Sequence, residues 1–323
     1  MSVLLEIDAL RVHFPIRRGL FGRPRGAIRA VDGVSLDVAA GETLGLVGES
    51  GCGKSTLGNA ILRIVRPSSG AIRLAGIDMA ALDAAALRDA RRRVQMVFQD
   101  PYASLDPRMR VGDSIGEPLA VHGLAQGAEL ARRIGELLER VGLSPAHAVR
   151  FPHEFSGGQR QRLVIARALA LSPALIVCDE PVSALDVSVR GQILNLLLGL
   201  QRDLGTAYLF ISHDLSVVRH VSDRIAVMYL GRVVELASRD ALFAAPMHPY
   251  TRALISAIPL PDPPAQRRRA RIVLQGEIPS PANPPPGCAF HTRCPIAVAR
   301  CRVETPALVR KSSGAEAACH LVA

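Results

Sequence analysis

The chain has 323 residues, 49% of them hydrophobic, 21% charged and 4% aromatic, with no tryptophan and a formal net charge of +10. That length and apolar content exclude disorder for most of the chain and suit one large domain with a smaller companion. No apolar run reaches the roughly 18 residues a membrane-spanning helix needs. The nearest, Leu163 to Cys178, is broken by Arg167 and Pro173. Glu6 and Asp8 stand where a secretory leader would be basic, so a soluble, intracellular chain is expected.

In chain order, residues 2–14 and 27–38 read as strands, and the Arg/Gly/Pro-rich stretch 17–26 between them as a loop. Leu44–Val47 suits a short buried strand, followed at once by a glycine-rich turn and a helical pattern from Lys54. Residues 71–93 hold a short strand and an Ala/Arg-rich helix, and Val94–Phe98 a further buried strand. Leu130, Ile134, Leu137, Leu138 and Val141 mark the apolar face of a helix over 128–141. A helix from Ser156 to about Leu171 is stopped by Ser172-Pro173. Then follow a strand at Leu175–Cys178, a helix at Ile193–Leu200, a strand at Ala207–Ile211 and a hairpin over Arg224–Leu236 turning near Gly231. Strands alternating with helices predict an α/β layered fold with a largely parallel sheet. Eleven of the 23 prolines lie between Pro246 and Pro286, a segment expected to be a semi-rigid spacer outside sheet and helix. This places a domain boundary between 1–245 and 246–323.

Charge is unevenly spread. Residues 11–30 hold six arginines and no acid, and 267–271 hold four arginines. Such patches attract phosphate, nucleic acid or anionic lipid, or are simply solvated faces; no aromatic platform interleaves with them as a single-strand binder requires. Only Lys54 and Lys311 among 39 basic residues are lysine. A lysine retained where arginine is the rule points to a site that needs a compact ammonium.

Lys54 lies within Gly48-Glu49-Ser50-Gly51-Cys52-Gly53-Lys54-Ser55, followed by Thr56, which fits G-x-x-x-x-G-K-[ST] between an apolar strand and a helix. Glycines let successive N–H groups turn toward phosphate oxygens, and the helix start adds partial positive charge. Lys54 can reach the β- and γ-phosphates and the Ser55 hydroxyl can ligate Mg²⁺. This predicts a nucleoside triphosphate site. A second element, Leu175-Ile176-Val177-Cys178, ends in Asp179 and Glu180. Asp179 can order Mg²⁺ and Glu180 can polarise an attacking water. Between the two lies Phe155-Ser156-Gly157-Gly158-Gln159. Ser156 suits an N-cap, and paired glycines beside Gln159 exceed what capping needs.

This ordered set resembles the ATP-binding cassette of ABC transporters. Their Leu-Ser-Gly-Gly-Gln signature is kept in four of five places, with Phe155 in the leading apolar position. The resemblance implies a P-loop ABC-type ATPase domain with a RecA-like core, an antiparallel β subdomain and an α-helical subdomain. It implies a Q-loop role, including Mg²⁺ contact, for Gln99, a D-loop at Ser183–Asp186 and a switch role for His213. It further implies head-to-tail pairing, in which ATP is sandwiched between one P-loop and the partner's Ser156–Gln159. The adenine-stacking aromatic of the family is replaced by Arg25 and Gly26, leaving Phe21, Phe14 or an arginine plane as candidates.

Met247–Leu254, Val97–Pro101 and Ser104–Arg108 resemble the di- and oligopeptide importer ATPases, whose subfamily includes nickel and glutathione importers. This implies a second, related ATPase chain, two transmembrane permease subunits, an extracytoplasmic binding protein and a peripheral place on the cytoplasmic face of the inner membrane. Cys288, Cys294, Cys301 and Cys319 are spaced C-x5-C-x6-C-x17-C, which suits a [4Fe–4S] cluster, Zn²⁺ (His291 and His320 are near in sequence) or unliganded thiols. A soluble cassette ATPase of DNA repair or ribosome recycling is the rival. Ser156 follows Lys54 by 102 positions with no heptad run or cysteine between, which disfavours the inserted module such proteins carry.

Overall fold

The computed structural model describes residues 2–18, 23–259, 262, 267, 271–312 and 314–322; side chains at 17–18 and 23–25 fall outside that description. In chain order the strands are β1 (Val3–Arg18), β2 (Arg23–Ala39), β3 (Thr43–Val47), β4 (Ser69–Leu74), β5 (Ile77–Asp78), β6 (Val94–Val97), β7 (Leu175–Asp179), β8 (Ala207–Ser212), β9 (Arg224–Tyr229), β10 (Arg232–Ser238), β11 (Val309–Arg310) and β12 (Glu316–Ala317). The α-helices are α1 (Lys54–Ile61), α2 (Ala84–Ala90), α3 (Pro101–Ser104), α4 (Val111–Val121), α5 (Gly127–Arg140), α6 (Gly157–Leu169), α7 (Val187–Leu204), α8 (Leu215–Val221), α9 (Arg239–Ala244) and α10 (Pro249–Ser256). They fall into two units, Met1–Leu4 with Val38–Glu42 and Ala81–Phe210, and Leu5–Asp37 with Thr43–Ala80 and Ile211–Ala323.

In the first unit β6 and β7 run parallel, with Val94 opposite Leu175 and Val97 opposite Cys178. Every residue of β7 is buried, as expected for a parallel strand covered on both faces. Around α4, α5 and α6 lies the helical part, with Leu119, Ala125 and Ala170 buried against Leu124, Leu130 and Leu137. Two helices depart from expectation. Helix α4 forms over a segment for which no element is predicted, with Gly112, Gly116 and Pro118 inside it, its apolar face supplying the stabilisation propensity does not. Helix α7 starts six residues before Ile193 and ends at Gly205, which takes the left-handed conformation that closes a helix.

In the second unit one antiparallel sheet has the order β2-β1-β4-β5. Leu5, Ile7, Leu10 and Val12 are buried, and the alternation shifts at Ala9, where φ is 44° and the β1–β4 register slips between Asp8 and Arg11. The stretch expected as a loop is shorter than predicted, since 17–18 and 23–26 continue β1 and β2. No apolar alternation in the Arg/Gly/Pro-rich sequence announces that continuation. A second sheet runs β11-β12-β10-β9-β3. Here β3 lies parallel to β9, with Leu44 opposite Arg224 and Val47 opposite Val227, and β9–β10 form the expected hairpin. The C-terminal region therefore adds β12, and β11 beyond it, to the sheet that holds β3. Within the segment expected to avoid helix, Pro249 opens α10, with His248 as N-cap. A proline in the first helical turn sacrifices no hydrogen bond.

Candidate active site

Strand β3 delivers the chain into Gly48–Ser55. Helix α1 starts behind Gly53 (φ 107°), with no side-chain cap and no acid in its first turn, so no carboxylate opposes the partial positive charge that this helix start offers an anion. A Cβ on Gly53 would lie 1.9 Å from the Ala30 carbonyl oxygen, so only glycine fits. Lys54 is buried, and its Nζ donates to the carbonyls of Gly48 (2.8 Å) and Glu49 (3.1 Å). The ammonium is thus held by neutral acceptors that a phosphate can replace. Ser55 is exposed and Thr56 half-buried, whereas Cys52 is buried and its thiol is pushed up by that burial, against the opposing pull of Lys54.

In the other unit, β7 ends in Asp179, which is buried, and Glu180, half-buried. Glu180 has φ 48°, a left-handed backbone uncommon for non-glycine residues. Gln99, just past β6, donates from Nε2 to Glu180 Oε2 at 3.1 Å. Parallel pairing of β6 and β7 brings these strand-end groups together. Ser183 reinforces the turn after Glu180, its Oγ donating to the Glu180 carbonyl at 3.1 Å. His213 is exposed directly after β8, ahead of Asp214, which caps α8.

Ser156 and Gln159 cap α6 reciprocally: Ser156 Oγ accepts the Gln159 N–H (3.3 Å) and Gln159 Oε1 accepts the Ser156 N–H (3.0 Å). A Cβ on Gly158 would lie 2.4 Å from Val189 Cγ1, so this glycine also serves close helix packing. Phe155 is buried edge-on to His147, ring centroids 5.4 Å apart. Sequence reasoning missed Arg160, a buried arginine on the Pro152 carbonyl (2.7 Å) whose guanidinium covers the exposed Tyr102 ring at 3.9 Å.

Two further residues gave no warning in the motif. Tyr250 of α10 accepts the Glu49 N–H through Oη at 2.8 Å, and Arg293 donates to both Glu49 carboxylate oxygens at 2.7 and 3.0 Å. Burial, and behind it Cys301, Cys294 and Cys319, pushes the Cys288 thiol up, and Cys294 is pushed up by burial and by Cys319 and Cys301. Cys288 also donates its N–H to the Cys301 carbonyl at 2.8 Å. Among the described residues, however, no group of three or more His, Cys, Asp or Glu side chains is placed to hold a metal ion. Of the adenine candidates, Phe14 is exposed, as is Gly26 where the family has its aromatic residue; Phe21 and the Arg25 side chain lie outside the described residues, as do Arg268 and Arg269 of the second basic run.

Residues 31–183 match the ABC transporter family and residues 234–301 the oligopeptide/dipeptide transporter C-terminal region. Among solved structures, the chain is similar to the dimeric, post-hydrolysis ATP-binding cassette MJ0796 bound to ADP and Pi (TM-score 0.63, 30% identity, 73% of this chain and 99% of that one). It is also similar to cbiO1 of Clostridium perfringens (TM-score 0.65, 27% identity, 76% and 92%). Fold and P-loop thus define an ABC ATPase cassette, α/β with an antiparallel β subdomain. The oligopeptide transport ATP-binding protein AppF of Bacillus subtilis is 52% identical over 99% of this chain and 98% of its own, and OppF of Salmonella typhimurium 52% over 95% and 93%. The chain belongs to the ATP-binding proteins of the oligopeptide/dipeptide ABC importer family, ATPases coupled to transport.

Proposed function

We propose that this chain powers import of di- or oligopeptides by ATP-driven pairing of cassettes. The observation that supports this most is the division of labour within the chain: an α1 start without a side-chain cap, with Lys54 held by the Gly48 and Glu49 carbonyls and the Cys52 thiol and by no carboxylate, and a Gln99–Glu180 pair at neighbouring strand ends. Gly48, Glu49, Ser50, Gly51, Cys52, Gly53, Lys54, Ser55 and Thr56 enclose the phosphates, and Lys54 neutralises the β- and γ-phosphates. Oxygen donors from Ser55, Gln99 and Asp179 suit a hard cation, and Mg²⁺ there would neutralise charge on the phosphates. Glu180 polarises the attacking water, with Gln99 and His213 orienting water and γ-phosphate. A half-site lacks donors for three phosphates, and Ser156, Gly157, Gly158 and Gln159 of a second cassette supply them in trans. The capping box uses the Ser156 Oγ and Gln159 Oε1 oxygens as acceptors only, so the Ser156 O–H, the Gln159 Nε2–H and the N–H groups at the glycines are the donors α6 would contribute.

Peptide cargo is the reading the C-terminal match favours. Glutathione is the second reading: the glutathione import ATP-binding protein GsiA of Salmonella paratyphi A is 58% identical over 86% of this chain, which spans 44% of that protein. Residues 1–245 serve as the cassette and 246–323 as the importer-type extension. Cys288, Cys294, Cys301 and Cys319 hold a [4Fe–4S] cluster, or Zn²⁺ as the alternative, their soft thiolates suiting either. No helix among the described residues is long and apolar enough to cross a membrane. As in the importer family, two permease subunits provide the channel and the chain docks on them from the cytoplasm. A related second ATPase and an extracytoplasmic binding protein complete the assembly. The test is reconstitution with permease subunits in vesicles. ATP-dependent uptake of a peptide, lost in Lys54→Ala, is expected, while co-purification with ribosomes or DNA in place of membrane subunits overturns the reading.

A further inference from the structure

Glu49 is tied at every polar atom. Its N–H donates to Tyr250 Oη at 2.8 Å, its carbonyl accepts from Lys54 Nζ at 3.1 Å, and its carboxylate takes both Arg293 N–H bonds, at 2.7 and 3.0 Å. The ion pair is not a surface one, since the side chains are only 8% (Arg293) and 25% (Glu49) exposed. Behind it sits an aromatic brace: Tyr229 meets Tyr250 and Phe290 edge-on at 4.8 and 5.2 Å, and the Arg293 guanidinium lies 5.9 Å from the Tyr229 ring centre. Arg293 comes from the C-terminal region, one residue before Cys294.

A carboxylate is a costly group in the second position of a loop that must gather a polyanion, because uncompensated it repels every phosphate. A buried, bidentate guanidinium removes that charge and fixes the loop's path. We propose that Arg293 is a charge-compensating, positioning residue of the nucleotide site, so that the C-terminal region completes the P-loop and sets its affinity for nucleoside triphosphate. This rests on the reading that residues 48–56 hold ATP.

The test uses the full-length chain, with ATP–Mg, ADP–Mg and AMP binding measured by calorimetry for the wild type, Arg293→Gln, Arg293→Lys, Glu49→Gln and the Glu49→Gln/Arg293→Gln pair. Arg293→Gln should weaken ATP about tenfold, ADP less and AMP hardly at all, with the deficit shrinking in high salt. Arg293→Lys, which keeps the charge, should retain most of the affinity. The double variant should return to within about threefold of wild type although the clamp is gone, which a merely structural role for Arg293 does not allow. Wild-type affinity in Arg293→Gln, an equal loss for AMP, or no recovery in the double variant overturns the proposal. Should Arg293→Gln fail to fold, Glu49→Gln decides alone: with Arg293 uncancelled it must bind ATP more tightly than wild type, and equal or weaker binding refutes the idea. A wild type that binds no ATP brings down the underlying nucleotide reading itself, a result distinct from all of these.

Discussion

His248 makes the attachment of α10 sensitive to acid. Its Nδ1 accepts the Tyr250 N–H at 3.1 Å, a role open only to an unprotonated ring nitrogen. The side chain is 2% exposed and lies 5.5 Å from Phe290, centre to centre. Burial, and behind it the Arg252 charge, lowers its pKa from 6.5 to about 4. Each tenfold change in proton affinity is worth about 1.4 kcal/mol, so the folded state forfeits about 3 kcal/mol in all. The folded value is depressed, so this stability is fully present above pH 6.5 and drains away as pH falls toward 4. In His248→Asn the amide oxygen can accept the same N–H without titrating. Urea unfolding followed by circular dichroism at pH 7.5, 6.5, 5.5 and 4.5 (roughly spanning that window) compares the two chains, and titrations common to both cancel in the difference. Wild type should lose about 2–3 kcal/mol more than the variant between the extremes. Parallel curves refute the reasoning.

Other perturbations follow from the same contacts. Glu180→Gln should bind ATP normally yet lose about 100-fold or more in steady-state turnover; normal hydrolysis removes Glu180 from its role. Gly158→Ala places a methyl 2.4 Å from Val189 Cγ1 and should cost about 1–3 kcal/mol in urea unfolding, most of it recovered by adding Val189→Ala. Glu235 is fully buried and accepts the Met247 and His248 N–H groups, each at 2.8 Å. Glu235→Ala should therefore destabilise by about 2–5 kcal/mol, two donors being stranded. Chain purified anaerobically should carry iron and acid-labile sulfide in equal amounts; stoichiometric zinc favours the alternative, and neither metal refutes the four-cysteine site.

The parts legible in the sequence were those where chemistry and local backbone coincide. The apolar runs Leu44–Val47 and Leu175–Cys178 declare buried parallel strands, and Gly53 and Ser156 announce the helix starts beside them. Gln99 and Glu180 were chosen from separate strand ends, and parallel pairing of β6 with β7 joins them at 3.1 Å. What stayed hidden depends on long-range contact. Glu49 and Arg293 are 244 positions apart, and nothing in the pattern G-x-x-x-x-G-K-[ST] asks for an arginine. Tyr250 looked like part of a family resemblance, while its hydroxyl in fact holds a P-loop amide. Helix α4 was masked by Pro118 and two glycines, whose local cost the packing of α4 on α5 and α6 overcomes. The extension of β1 and β2 over 17–18 and 23–26 is missed because the Arg/Gly/Pro-rich sequence there carries no strand alternation to read.

The central claim is that ATP is bound between the P-loop of one cassette and the α6 start of another. Its most direct measurement is specific hydrolysis rate against protein concentration, for this chain alone and with the related second ATPase proposed above, alongside sedimentation. Activity should rise with association and vanish for protomers held apart, for instance by Ser156→Arg. Undiminished turnover by protomers that sediment as monomers contradicts it.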